Sequence, residues 1–311
     1  MDLGFAVPQC GSWATPERQV RLARLAESLG YTTAWTFQRL LFPADPEATE
    51  HAARWSPVYR SVLDPIVTLG YLAGQTERIR LGVAVVNLPF VSPALLAKQA
   101  ATVDIVSGGR LTLGLGLGWA PQEYAATGAS RSGLGRRADE YLRVLSSLWT
   151  DEVTDFHGEY YEVPSARMDP KPVQRPRPPV LMGGFSPPAL RRAGRLADGW
   201  VAGSAADLRT LGGQVSAVRR AAVEAGRDPD TLRYVCRGVV RLRAAGAADR
   251  VALSGSVEEI RGDLDVARAQ GLTELFLDLN FDAEVGVPEA DPDESEARAV
   301  EVLHALAPAS R

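Results

Sequence analysis

Short apolar runs alternate along most of the chain with longer stretches of helical spacing. Residues 3–7 read as a strand. Thr15 can cap a helix with Pro16 in its first turn, and Gly30 stops that helix just after Leu29. Residues 33–36 form a second strand, and the polar, proline-containing stretch 41–61 predicts a long loop. Asp64-Pro65 then opens a helix to Gln75. Residues 79–86 are nearly all apolar and β-branched, the pattern of a strand buried on both faces. Ser92-Pro93 opens the next helix, Gly108-Gly109 ends it, and residues 111–115 are a fourth strand.

The alternation resumes with strands at 180–182, 200–202, 234–242 and 274–279. Helices are predicted at 187–196, 208–225, 257–270 and 294–306, and Ser256 and Glu259 have capping-box spacing. Eight strand–helix units in this length favour an α/β fold of the closed (β/α)8 TIM-barrel type over an open doubly wound sheet, on a single domain spanning 1–311. One segment breaks the rhythm. Residues 153–163 alternate around His157-Gly158 as a hairpin would. Residues 167–179 then carry five prolines and several cations. This insertion, about residues 150–179, is expected to run across the carboxyl-terminal mouth of the barrel.

Composition narrows the function. The 34 lysines and arginines against 38 aspartates and glutamates give a net charge of −4, which argues against a nucleic-acid partner. No apolar run approaches the roughly 20 residues of a membrane helix, and MDLGFAVPQC lacks a signal-peptide pattern. Only Cys10 and Cys236 occur, so neither a disulfide framework nor a thiolate metal site is expected, and a cytoplasmic location is the natural reading. There is no HExxH or carboxylate cluster for a metal and no GxSxG elbow for a serine hydrolase.

In such a barrel the chemistry lies where the strands end. Gly114-Leu-Gly116-Leu-Gly118-Trp119 closes the fourth strand in alternating glycines, which could let a planar or anionic ligand approach the backbone or could serve barrel packing. Gly183-Gly184-Phe185-Ser186-Pro187-Pro188 ends a strand and starts a helix, where free amides and the helix dipole suit a phosphate. His157 and His304 read as surface residues and His51 as a loop residue. Acid–base work would fall to Glu123, Asp278, Tyr59, His51 or the Gln38-Arg39 pair, each of which has an ordinary structural use as well.

These motifs carry a resemblance. Residues 78–119, 139–163 and 166–200 resemble the bacterial luciferase-like monooxygenase superfamily, and look closest to its branch of deazaflavin (coenzyme F420)-dependent oxidoreductases. The resemblance implies the (β/α)8 barrel with its insertion, and a cofactor ring lying across the third strand at Ala84, Val85 and Asn87. It implies a non-proline cis peptide at Ala84–Val85. It further implies a cofactor tail held near Gly116, Leu117, Gly118, Gly183, Gly184, Phe185, Gly203 and Ser204. Flavin members place an arginine in the strand-four loop to meet the phosphate; here that position is Leu117. This tilts the cofactor reading toward F420, with FMN as the alternative.

The chain also departs from the pattern. Sugar-phosphate dehydrogenases of the family have Asp-His after the second strand and a glutamate in the strand-four loop; here stand Gln38-Arg39 and Trp119. Arg39 cannot be a base, since its pKa exceeds roughly 12. The expectation is therefore hydride transfer between F420 and a C=C, C=N or C=O group of a small organic substrate. Arg39 and Gln38 would orient or polarise the acceptor, and Trp119 would line the substrate face. Two alternatives stand: an FMN-dependent two-component monooxygenase served by a separate flavin reductase, and a non-catalytic flavin-binding barrel. The resemblance also implies a homodimer.

Overall fold

Strand follows helix from the first residues onward. The computed structural model describes residues 1–203 and 206–309. The first half of the chain supplies β1 (Asp2–Ala6), α1 (Pro16–Ser28), β2 (Thr33–Thr36), α2 (Pro65–Ala73), β3 (Arg80–Asn87), α3 (Pro93–Val106) and β4 (Leu111–Gly116). Two helices, α4 (Pro121–Thr127) and α5 (Leu134–Thr150), precede a hairpin of β5 (Thr154–His157) and β6 (Glu162–Ala166). Next come β7 (Val180–Gly183), α6 (Pro187–Leu196), β8 (Gly199–Ala202), α7 (Leu211–Glu224) and β9 (Arg233–Val239). The chain finishes with β10 (Arg241–Leu242), β11 (Ser254–Gly255), α8 (Val257–Ala269), β12 (Glu274–Asp278) and α9 (Pro292–Ala305).

Eight strands close into one parallel barrel in the order β1-β2-β3-β4-β7-β8-β9-β12. The (β/α)8 expectation holds. Caps set the helix starts as read: Thr15, Asp64 and Ser92 each accept a first-turn amide, and Ser256 with Glu259 makes the full capping box. Inside the barrel, Trp35 stacks on Phe276 at 4.9 Å and donates to Glu274 at 2.8 Å. Gly82 makes room for that indole, because a Cβ there would lie 2.5 Å from the Trp35 ring.

Two expectations are corrected. The predicted strand 234–242 ends at Val239: the Val240 amide makes the last bond to the barrel, at Asp278, and the Arg241 amide turns to Leu253. Arg241–Leu242 then pairs with β11, outside the barrel. The proline-rich stretch 167–179 does not cross the mouth. Lys171 donates to the carbonyls of Leu148 and Asp151 at the end of α5, and Gln174 to Asp104 and to Leu111 at the start of β4. Those partners lie at the amino-terminal face, where a segment leading into β7 must arrive. The hairpin itself forms as predicted, and Glu140 of α5 accepts the amides of Glu159, Tyr160 and Tyr161 at its tip. The long loop after β2 reaches across to the β4 connection instead.

Candidate functional site: the carboxyl-terminal mouth

Arg39 organises one side of the mouth. Its side chain is only 6% exposed and its Nη1 meets Glu123 Oε2 at 2.9 Å; Glu123 is fully buried. The other oxygen of Glu123 accepts the amides of Leu40 and Leu41 at 2.7 and 3.3 Å. The guanidinium lies 4.5 Å from the Tyr59 ring, 4.7 Å from Trp119 and 5.3 Å from Trp55. Trp55 and Trp119 touch each other at 4.7 Å, and Tyr59 continues the row to Phe37 and Phe281. One buried carboxylate thus latches the loop after β2 to α4, and the aromatic rings close around the cation it holds. Gln38 faces the third strand and accepts the Asn87 amide at 2.8 Å.

A second buried cation sits deeper. Arg237, in the second half of β9, donates Nη2–H to the Ala84 carbonyl and packs 4.6 Å from the Phe281 ring. Its Nε is 3.3 Å from Asp278 Oδ2, near enough for an ion pair but too poorly aligned for a hydrogen bond. Asp278 is fully buried, and its other oxygen takes the backbone and side-chain N–H groups of Asn280 at 2.8 and 2.9 Å. Burial pushes the Asp278 carboxyl up, against the opposing pull of Arg237 and the Asn280 bonds. Burial likewise raises the Cys10 thiol well above its ordinary value, with the Asp278 charge adding to it, so Cys10 is a neutral neighbour of Asn280.

β3 bulges between Val83 and Val86, and the Ala84–Val85 peptide is cis, as the resemblance implied. The bulge explains two glycines of the strand-four run. A Cβ on Gly114 would meet the Val83 carbonyl at 2.2 Å, and one on Gly116 would meet Val85 Cγ2 at 2.5 Å. Their missing side chains make room for β3, so packing accounts for them without a ligand. Gly118 has φ +74°, and a Cβ there would press on Phe90.

The Gly183–Ser186 turn is different. Gly184 has φ +123°, a conformation that side chains rarely adopt, and its carbonyl accepts Trp200 Nε1–H at 2.8 Å. Ser186 precedes α6 without capping it through its side chain. Pro187 and Pro188 have no N–H, so the donors this turn can offer are the amides of Gly184, Phe185, Ser186 and Ala189. A Cβ on Gly203 would meet nothing within 4 Å among the described residues. Ser204, expected beside it, lies outside the described residues. An uncapped helix start next to open backbone fits the anionic tail of a flavin-like cofactor, with no guanidinium from the Leu117 position.

The structure brings Gln38, Arg39, Glu123, Tyr59, His51 and Trp119 together at one side of the mouth; His51 lies edge-on to Trp119 at 6.0 Å. His157 and His304 are exposed and remote from it. Sequence reading missed Arg237, Trp55 and Phe281. An arginine inside the apolar run YVCRGVV was the available signal for the first; no local pattern marks the other two. Beside this wall, a cleft of about 790 Å³ opens between the start of the α7 connection, β9 and the loop after β12, and Arg237 and Phe281 reach it.

The fold is thus a closed (β/α)8 barrel with a bulged third strand. The chain belongs to the luciferase-like monooxygenase family, whose model matches residues 3–274. An uncharacterized protein of Mycobacterium tuberculosis is 32% identical over 241 residues, 74% of this chain and 82% of that one. An FMNH2-dependent dimethylsulfone monooxygenase of Pseudomonas putida is 34% identical over 164 residues, 51% of this chain and 45% of that one. Monooxygenase RslO1 of Streptomyces bottropensis superposes with a TM-score of 0.78 at 23% identity over 97% of both chains. An F420-dependent secondary alcohol dehydrogenase, solved with an F420–acetone adduct, does so at 0.75 and 18% identity over 98% of both. The structural likenesses are of fold. Among the described residues, no helix is long and apolar enough to cross a membrane.

Proposed function

We propose that this member of the family is an oxidoreductase that uses reduced coenzyme F420 to deliver hydride to a C=C, C=N or C=O group of a small organic substrate. The observation that carries this reading is the pairing of Leu117 with the uncapped Gly183–Ser186 turn: a phosphate would be met there by amides, without the strand-four arginine of flavin members. When bound, the deazaflavin supplies the hydride. The chain's residues do the rest. The bulge at Ala84–Val85 carries the ring, and Asn87 and Gln38 border it. The amides of Phe185, Ser186 and Ala189, with the backbone at Gly183 and Gly203, hold the tail. Trp119 and Trp55 exclude water from the reacting face. Arg39 is fixed by Glu123 through Nη1, and its Nη2 makes no hydrogen bond among the described residues, which leaves it able to orient an acceptor.

Fluorescence titration with F420 and FMN in parallel tests this. Saturable binding with F420 at least about tenfold tighter is expected, and Leu117→Arg should narrow the preference. Equal or tighter FMN binding overturns the reading. The second reading, an FMN-dependent monooxygenase fed by a flavin reductase, has the Pseudomonas putida relative in its favour. Oxygen consumption with reduced FMN and tight FMN binding would establish it. A cytoplasmic homodimer acting on a small-molecule substrate accompanies either reading.

A further inference from the structure

We propose that the aromatic wall around Arg39 and Arg237 is the substrate subsite, and that it takes a planar aromatic compound bearing a neutral carbonyl oxygen. This deepens the functional reading above and rests on it for the reaction, though not for the binding.

The wall is one continuous row of rings. Trp119 meets Trp55 at 4.7 Å, Trp55 meets Tyr59 at 6.3 Å, and Tyr59 meets Phe281 at 5.7 Å. Trp119, Tyr59 and Phe281 remain half-buried, so the row keeps ring surface that the protein does not cover. Flat aromatic surface prefers an aromatic partner, in offset or edge-on contact, over an aliphatic one of equal area.

Hydrogen-bond satisfaction supplies the second observation. Among the described residues, seven buried side-chain polar atoms have no partner, and four belong to this wall: Arg39 Nε, Trp55 Nε1, Arg237 Nε and Asp278 Oδ2. Three of the four are N–H donors on side chains at least nine-tenths buried. Arg237 Nε and Asp278 Oδ2 face each other at 3.3 Å, whereas Arg39 Nε and Trp55 Nε1 have no acceptor among the described residues. An unmade bond on a buried donor is costly, and these two call for an acceptor from outside the chain. Net charge decides which acceptor. Arg39 is matched by Glu123 and Arg237 by Asp278. The buried charges of the wall are therefore balanced, and the one further cation, Arg54 at 4.4 Å over the Trp119 ring, is exposed to solvent, which screens it. Balanced buried charge suits a carbonyl oxygen better than a carboxylate and disfavours an amine. A carbonyl is also an acceptor of the kind hydride delivery requires.

Three probes of matched shape separate the contributions: 2-acetylnaphthalene, 2-ethylnaphthalene without the acceptor, and cyclohexyl methyl ketone without the rings. Binding is measured by calorimetry on the protein alone and after saturation with whichever cofactor it takes. In at least one form, 2-acetylnaphthalene should bind at least tenfold tighter than either of the others. Trp119→Leu should remove at least tenfold of that affinity, whereas Trp119→Phe, which keeps a ring and guards against misfolding, should retain most of it. Equal affinity for all three probes, or for the two ketones, overturns the aromatic assignment. Equal affinity for the ketone and the hydrocarbon overturns the acceptor assignment. Because the protein-alone titration needs no cofactor, a failure of F420 binding leaves this test readable.

Discussion

The two sides of the barrel mouth are built by opposite means. Along β4, β7 and β8 the side chains are withdrawn: Gly183, Gly184 and Gly203 expose backbone, and α6 starts with an uncapped turn. Around β2, β9 and β12 the side chains are everything: indoles, phenyl rings and two buried guanidiniums, each set against a buried carboxylate. The first side offers backbone polarity at fixed points. The second offers flat surface and buried donors, and so can discriminate among substrates. A family that keeps its type of cofactor while changing its reaction would be expected to divide the mouth in this way.

The sharpest way to break the contrast is to unlatch the second side. Glu123→Gln removes the charge that compensates buried Arg39, while keeping an oxygen for the Leu40 amide. Loss of one partner of a buried pair should destabilise the fold by about 3–5 kcal/mol, read as a lowered denaturation midpoint. A cost below about 1 kcal/mol would mean that the aromatic rings hold the loop without the ion pair.

The glycine side should respond less in stability and more in binding. Gly184→Val puts a branched side chain at φ +123°, with its Cβ 2.9 Å from the Ala189 Cβ. A cost of about 1–3 kcal/mol is expected, with weakened cofactor binding. Gly203→Ala isolates the ligand's share, since its Cβ would meet no atom of the described residues within 4 Å. Stability should change by no more than about 0.5 kcal/mol while cofactor affinity falls several-fold. An unchanged affinity in both variants would show that the tail lies elsewhere.

Legibility in the sequence followed the same division. The barrel was readable because strands such as 79–86 and helix starts such as Ser92-Pro93 are local signals, and the glycine turn at 183–184 is contiguous. The strand-four glycines were readable as special, but not for what: only the bulge of β3 shows that Val83 and Val85 fill their space. The aromatic wall is opaque because its residues come from four separate stretches, Arg39 and Trp55 from the loop after β2, Trp119 from that after β4, Arg237 from β9 and Phe281 from the loop after β12, brought together by barrel closure. The sequence marks Arg39 by its position after β2 but not by its partner, and Glu123 stands 84 residues away as one acid among several. The path of 167–179 is not legible because prolines announce an extended chain without saying which face it follows.

The smallest effect concerns Asp278, where desolvation and the Arg237 charge oppose each other. An unfolded aspartate titrates near about 3.9, and burial raises the folded value above that. The folded chain then holds this proton more tightly than the unfolded one. The resulting stabilisation is present at low pH and is lost as pH rises through the folded value. An Asp278→Asn variant carries an amide there, with no proton to lose. The wild-type melting temperature minus that of the variant should therefore fall as pH rises from about 4 to about 7. If the difference rises instead, the ion pair with Arg237 outweighs the cost of burial, and the inner end of the wall is held together by charge rather than merely tolerating it.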